Sequence, residues 1–204
     1  MRINFLRAAA SGARLAAYGL ICLAASLSFA RASSDEEAVW SALRSGGHVA
    51  LLRHALAPGN GDPARFRVGD CSTQRNLDEV GRAQARRIGA RLKANGIVWA
   101  RVFSSQWCRC LDTAELLGLG PVAALPPLNS FFGRPKRKDL QMKVLRAWLS
   151  KQDLGNRDEG PTVLVTHQVV ITALTGIFPA SGELVVIRVE ENGRATTVGS
   201  IETD

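Results

Sequence analysis

His48-Val49-Ala50-Leu51-Leu52-Arg53-His54 (HVALLRH, residues 48–54) is a short apolar run between Gly46-Gly47 and a long stretch rich in Gly, Pro and Asp. Such a run, too short for a core helix and uninterrupted by polar residues, reads as a buried strand. Its carboxyl end presents Arg53 and His54. Two later segments follow the same grammar. Ile97 to Phe103 (IVWARVF) reads as a strand leading into Ser104 through Arg109, and Thr162 to Thr166 (TVLVT) as a strand delivering His167. In open α/β sheets the ligand crevice lies outside the carboxyl ends of the strands, so these residues should converge in space.

The segments between supply helices. Ser34 with Glu37 forms a capping box for a short helix through Val39, Trp40 and Leu43, stopped at Gly46-Gly47. Asn76, with Glu79 completing a box, opens a second helix that places Leu77, Val80, Gly81, Ala85, Ile88 and Leu92 on one face, ending at Asn95-Gly96. A third starts at Ser104-Ser105 and carries Cys108, Arg109, Ala114, Leu116 and Leu117. Val122 to Leu125 reads as a short strand, and Met142, Leu145 and Leu149 mark a fourth helix. A short apolar helix follows His167 to Leu174. Leu184–Val189 and Ala195–Ile201 form an antiparallel pair around Asn192-Gly193. Strands alternating with helices predict a three-layer α/β/α sandwich with a mostly parallel central sheet.

The chain has 204 residues, 46% hydrophobic and 22% charged, which excludes a disordered protein, and its one outstanding apolar stretch, at the N-terminus, excludes a multi-pass membrane protein. Residues 1–32 read as a signal peptide. Arg2, Arg7 and Arg14 make a basic start, Tyr18 to Phe29 an apolar run, and Ala30-Arg31-Ala32 a cleavage site after Ala30 or Ala32. An uncleaved anchor is the alternative, although the run is well short of the about 20 residues a membrane span needs. One domain, residues 33–204, is then expected in the periplasm or outside the cell, with no membrane span after cleavage. Losing four arginines and no acids takes the formal net charge from +8 to +4. That remainder suits an anionic small substrate and gives no strong nucleic-acid signal. Cys71, Cys108 and Cys110 remain after Cys22 leaves; one disulfide is expected, Cys71 with Cys108 or Cys110. The oligomeric state is not legible.

Arg53, His54, Arg109 and His167, brought together without an interleaved carboxylate, would repel one another unless they surround a dianionic phosphoryl group. Leu51-Leu52-Arg53-His54-Ala55 resembles the signature of the histidine phosphatase superfamily, the phosphoglycerate mutases and acid phosphatases among them. Arg75-Asn76-Leu77 with Gly81-x-x-Gln84-Ala85, Phe103-Ser104-Ser105 through Arg109 with Thr113-Ala114, and Val163-Leu164-Val165-Thr166-His167 are similar to its later motifs. The resemblance covers roughly residues 48 to 190 and points to small secreted or periplasmic members.

It implies a phosphoglycerate mutase-like fold and hydrolysis of a phosphomonoester. Neutral His54 would attack phosphorus through one ring nitrogen while the other donates to a backbone carbonyl. Arg53, Arg109 and His167 would hold the phosphoryl oxygens, with Arg75 on the substrate side and no cofactor or metal required. The proton donor is not in the family's usual place, because Leu128 to Phe132 has no carboxylate and Gln168 follows His167. Glu183 is the choice, with Asp62 and Asp70 in the long loop as alternatives. Leu56, where the mutases carry Glu, argues against mutase activity. The loop Phe131 to Lys138 reads as a basic surface with a core-facing Phe pair, or as a lid. The expected partner is a phosphorylated small molecule or an envelope sugar phosphate. Alternatives are a phosphotransferase or phosphohistidine phosphatase, and a phosphate- or phosphoglycan-binding module of the same fold without turnover.

Overall fold

The computed structural model describes residues 35–156 and 159–203. The expected signal peptide, its boundary at residue 32 and the Ser34 cap lie outside these residues. The chain divides into two compact units, Met1–Ala38 and Val39–Asp204; of the first, residues 35–38 are described and are helical.

Helix α1 covers residues 35–45. The remaining elements, in chain order, are β1 (His48–Arg53), α2 (Glu79–Ala94), β2 (Arg101–Ser104), α3 (Cys108–Leu117), β3 (Val122–Ala124), α4 (Lys138–Leu149), β4 (Thr162–Thr166), α5 (Gln168–Thr175), β5 (Leu184–Val189) and β6 (Ala195–Ile201). Short 3-10 turns occur at Cys71–Thr73, Pro126–Leu128 and Pro135–Arg137.

The six strands form one sheet in the order β3-β2-β4-β1-β5-β6. β1 to β4 pair in parallel, and β5 and β6 add an antiparallel edge. Alternation along each strand sends side chains to two separate cores. Ala50, Leu52, Val163 and Val165 meet Trp40, Leu43, Ile88, Leu92, Ala114 and Leu117 on one face. Val49, Leu51, Leu164 and Val185 meet Met142, Leu145, Leu149, Val170 and Ile171 on the other. The three-layer α/β/α sandwich is therefore present, with α1, α2 and α3 on one side and α4 and α5 on the other.

Local departures have identifiable causes. α2 starts at Glu79 rather than after Asn76, because Asp78 accepts the Gly81 N–H at 2.8 Å while Asn76 Nδ2 donates to the Cys71 carbonyl. Val80 is 60% exposed, and the buried face of α2 is instead Gly81, Gln84, Ala85, Ile88, Gly89 and Leu92. Gly81 and Gly89 are required there: a Cβ on Gly81 would lie 1.9 Å from the Leu56 carbonyl oxygen, and one on Gly89 2.2 Å from that of Leu117. β2 is shorter than Ile97–Phe103. The Ile97 N–H closes onto Leu92 and that of Ala100 onto Leu119, so pairing with β4 begins only at Arg101. α3 begins at Cys108, leaving Ser105 through Trp107 as a non-helical turn at the end of β2.

Candidate active site

β2, β4 and β1 are neighbours, so their carboxyl ends lie side by side, with Ser104 level with Val165 and Arg53 level with Thr166. His54 follows β1, Ser105 follows β2 and His167 follows β4. They open into a cavity of about 750 Å³ whose floor includes Arg53, His54, Arg75, Arg109 and His167. All five residues expected at the site are thus brought to one place.

His54 is buried and donates through Nδ1 to its neighbour's carbonyl, Ala55 O, at 2.8 Å. That bond fixes the tautomer and leaves a lone pair on Nε2. Burial, reinforced by Arg109, holds its pKa down to about 3, so the ring is neutral. The Ala55 N–H in turn donates to Thr113 Oγ1 at 3.0 Å and the Leu56 N–H to Gln84 Oε1 at 2.7 Å, which pins the segment after the histidine onto α2 and α3.

Arg109, one residue into α3, is the hub. Its Nε donates to His54 Nε2 at 3.2 Å, and a terminal nitrogen points to His167 Nδ1 at 3.5 Å. His167 places Nε2 2.8 Å from Ser105 Oγ, which itself reaches Asn129 Oδ1 at 3.2 Å. With Arg109 donating to Nδ1, His167 carries its proton on Nε2, and the Ser105 hydroxyl donates to Asn129. Burial, with His54 and Arg109 nearby, pushes the His167 pKa well below the ordinary histidine range. Arg53 donates to the Pro179 carbonyl at 2.8 Å, while its buried Nε has no hydrogen-bond partner. Arg75 ties down the long loop, donating to the carbonyls of Gly61 and Ala57. Burial and the neighbouring Arg109 lower the pKa of both Arg53 and Arg75.

The expectation of a site without an interleaved carboxylate is overturned by Asp62. Its two oxygens take the Arg109 guanidinium at 2.7 and 3.2 Å, and it also accepts from Trp107 Nε1 at 2.9 Å and the Arg75 N–H at 3.3 Å. Burial opposes its ionisation, yet the hydrogen bonds from Arg109 and Trp107 win and hold its carboxyl below the usual carboxylate range. Asp62 is the one carboxylate among the described residues lining the cavity. Glu183, the preferred proton donor from sequence, instead accepts the Ala180 N–H at 2.7 Å and does not line the cavity. Asp70 is ion-paired with Arg67 at 2.7 Å and also lies off the cavity.

Sequence reading missed the parts played by Ser105, Trp107 and Asn129, which carry no periodic signal. Cys71 is bonded to Cys108, and Cys110 is a buried free thiol whose pKa is pushed up to about 12 by desolvation. Of the expected core-facing Phe pair only Phe131 is buried; Phe132 is 60% exposed and lines the cavity. Among the described residues no group of three or more His, Cys, Asp or Glu side chains could hold a metal ion, and no helix is long and apolar enough to cross a membrane.

Residues 49–131 match the Histidine phosphatase superfamily (branch 1). That match covers 83 of the 204 residues and includes the segments that carry Arg53, His54, Arg75 and Arg109. The mitochondrial serine/threonine-protein phosphatase Pgam5 of Drosophila virilis is 32% identical over 74 residues, 36% of this chain and 23% of the relative. That of Drosophila grimshawi is 33% identical over 70 residues, 34% and 22% of the two chains. The chain thus spans less than a quarter of the length of these curated relatives. Among solved structures, a mycobacterial glucosyl-3-phosphoglycerate phosphatase with inorganic phosphate superposes with a TM-score of 0.54 at 18% identity, covering 77% of this chain and 97% of that one. The protein histidine phosphatase SixA complexed with tungstate gives 0.52 at 18% identity, covering 76% and 97%. At that identity the likeness establishes the fold.

Proposed function

We propose that this chain is a histidine phosphatase, that it hydrolyses a phosphomonoester through a phosphohistidine on His54, and that it does so after export from the cytoplasm. The observation that carries the reading is the His54 ring, locked by Ala55 so that its Nε2 lone pair faces Arg109 at 3.2 Å. The Nε2 lone pair forms the N–P bond as the ester P–O bond breaks. Arg53, Arg75 and Arg109 take the charge of the transferring group. A phosphoryl dianion beside His167 favours its imidazolium, so Nδ1 gains a proton and donates to an oxygen while Ser105 keeps Nε2.

Asp62 supplies the proton to the leaving oxygen. When a phosphoryl group takes its place on Arg109, burial of the carboxyl is no longer offset and it protonates. Water then attacks phosphorus, the P–N bond breaks, and Asp62 takes the water proton. The Cys71–Cys108 disulfide supports the exported reading, since such bonds persist in oxidising compartments.

The test measures hydrolysis of para-nitrophenyl phosphate from pH 4 to 8 with EDTA present, alongside His54→Ala, with mass analysis of acid-labile phosphate on rapidly quenched protein. Turnover that survives the chelator, with labelling of His54, is expected. Activity unchanged in His54→Ala would end the mechanism. One observation favours a second reading: hydrogen bonds from Arg109 and Trp107 favour the ionised form of Asp62. A leaving group needing no proton donor, as in a phosphohistidine phosphatase or phosphotransferase, would then be preferred; exclusive turnover of phosphoramidate over alkyl phosphates would identify it.

A further inference from the structure

The cavity is far larger than a phosphate ion needs; its volume of about 750 Å³ is that of a site for a whole small molecule. Its charges are also in excess. Five arginines line it against one carboxylate, Asp62. A single phosphoryl dianion, bound among Arg53, Arg75 and Arg109, leaves Arg134 and Arg137 uncompensated.

Those two residues are set apart by local structure. The stretch 134–138 reads Arg-Pro-Lys-Arg-Lys, yet only Arg134 and Arg137 line the cavity, and Lys136 and Lys138 do not. Arg134 precedes the 3-10 turn Pro135–Arg137 and Arg137 ends it, and the Arg137 N–H closes onto the Arg134 carbonyl at 2.9 Å. Neither guanidinium makes a hydrogen bond or ion pair among the described residues, and arginine forks suit phosphate or carboxylate oxygens. Phe132 shares this loop and lines the cavity at 60% exposure; a Cβ on Gly61, next to Asp62, would lie 4.0 Å from its ring. An apolar surface thus stands beside the Asp62 loop, on the segment that carries the two free arginines.

We propose that the substrate is a phosphomonoester bearing a second anionic group, carboxylate or phosphate, which Arg134 and Arg137 bind while Phe132 packs on the span between the two. This rests on the phosphatase reading above but names the substrate class. The second anion is recognised by charge-assisted hydrogen bonds outside the reacting centre.

The test compares phenyl phosphate with 4-carboxyphenyl phosphate as substrates. In parallel, calorimetry on the full chain compares phenylphosphonate with 4-phosphonobenzoate as non-hydrolysable ligands. The carboxylated member of each pair should be favoured by about tenfold to a hundredfold, in kcat/KM through KM and in Kd. In Arg134→Gln/Arg137→Gln the ratio should fall to near one, and in Lys136→Gln/Lys138→Gln, an equal loss of charge off the cavity, it should persist. Equal binding of the two phosphonates, or a preference that survives the arginine double variant, overturns the proposal. Absence of turnover of both esters, with the phosphonate preference intact, would overturn the phosphatase reading and leave the second-anion site standing.

Discussion

Asp62 holds the Arg109 guanidinium by both carboxylate oxygens, while the Nε of the same guanidinium points at His54 Nε2 from 3.2 Å. The side chains are 4% and 12% exposed for Arg109 and Asp62 respectively, so the pair is shielded from solvent screening. On the phosphatase reading the carboxylate therefore stands where a phosphoryl group would bind. An incoming anion has to displace it, and doing so frees the carboxyl to protonate.

Removing that carboxylate should act in opposite directions on binding and chemistry. Asp62→Asn should tighten inorganic phosphate, because Arg109 loses its competing anion. It should also slow hydrolysis of an alkyl phosphate by about 10²–10⁴-fold, the usual contribution of a general acid, and affect para-nitrophenyl phosphate much less. Isothermal titration with phosphate and kinetics on the two esters read the two effects. Equal slowing of both esters would assign Asp62 to positioning Arg109 alone.

Both site histidines should stay neutral well into the acid range. The folded pKa of His54 is about 3 and that of His167 is also lowered. Below about pH 6.5, and for His54 down to about pH 3, the unfolded chain therefore binds more protons than the folded one. Their contribution to stability is fully present above about pH 6.5 and is lost as pH falls toward the folded values. Nitrogen chemical shifts of labelled His54, followed from pH 7 to 4, should show the neutral form throughout, and those of His167 should show no titration at the ordinary histidine value. Titration of His54 near pH 6.5 would contradict the burial argument.

The disulfide joins the long loop carrying Asp62 and Arg75 to the residue before Arg109. It closes 37 positions of chain, and a loop of that length corresponds to about 4 kcal/mol of stabilisation in the chain-entropy treatment. Cys71→Ser/Cys108→Ser should lower the Tm by on the order of 10 °C for a domain of this size. Its KM should rise more than its kcat falls, since the loop that loses its tie carries a substrate-side arginine. Calorimetry and steady-state kinetics on the variant measure both.

Two glycines of α2 separate fold from site. Gly81→Ala would drive a Cβ into the Leu56 carbonyl, and Gly89→Ala into that of Leu117. Each should cost about 1–3 kcal/mol of stability. Only Gly81→Ala displaces the backbone following His54, so only that variant should lose kcat beyond its loss of folded protein. Denaturant melts paired with active-site-normalised rates distinguish the two.

The strands and the residues at their ends were legible because an apolar run of five to seven residues and its polar terminus are adjacent in sequence. Arg53, His54, Arg109 and His167 were found that way. The N-cap of α2 was misplaced because Asn76 and Asp78 both fit a capping position, and contact with the Cys71 carbonyl, a tertiary fact, decides between them. Glu183 was favoured for its place at a strand start, but its carboxylate turns back onto Ala180. The position of Asp62 was beyond reach for a different reason. The loop from Ala55 to Arg75 has no hydrophobic period, and its path is set by the disulfide and by Arg75 and Trp107 reaching across it.

The placement of β2, β4 and β1 in the middle of the sheet has a dynamic consequence. Strands flanked on both edges expose their amides only when the sheet opens cooperatively, whereas the segment around Phe132, exposed at the cavity, can open locally. Hydrogen exchange beneath the histidines should therefore follow global unfolding, and exchange around the cavity mouth should be fast. On the phosphatase reading, the reacting groups would rest on a slowly exchanging part of the molecule, beside a segment that exchanges faster.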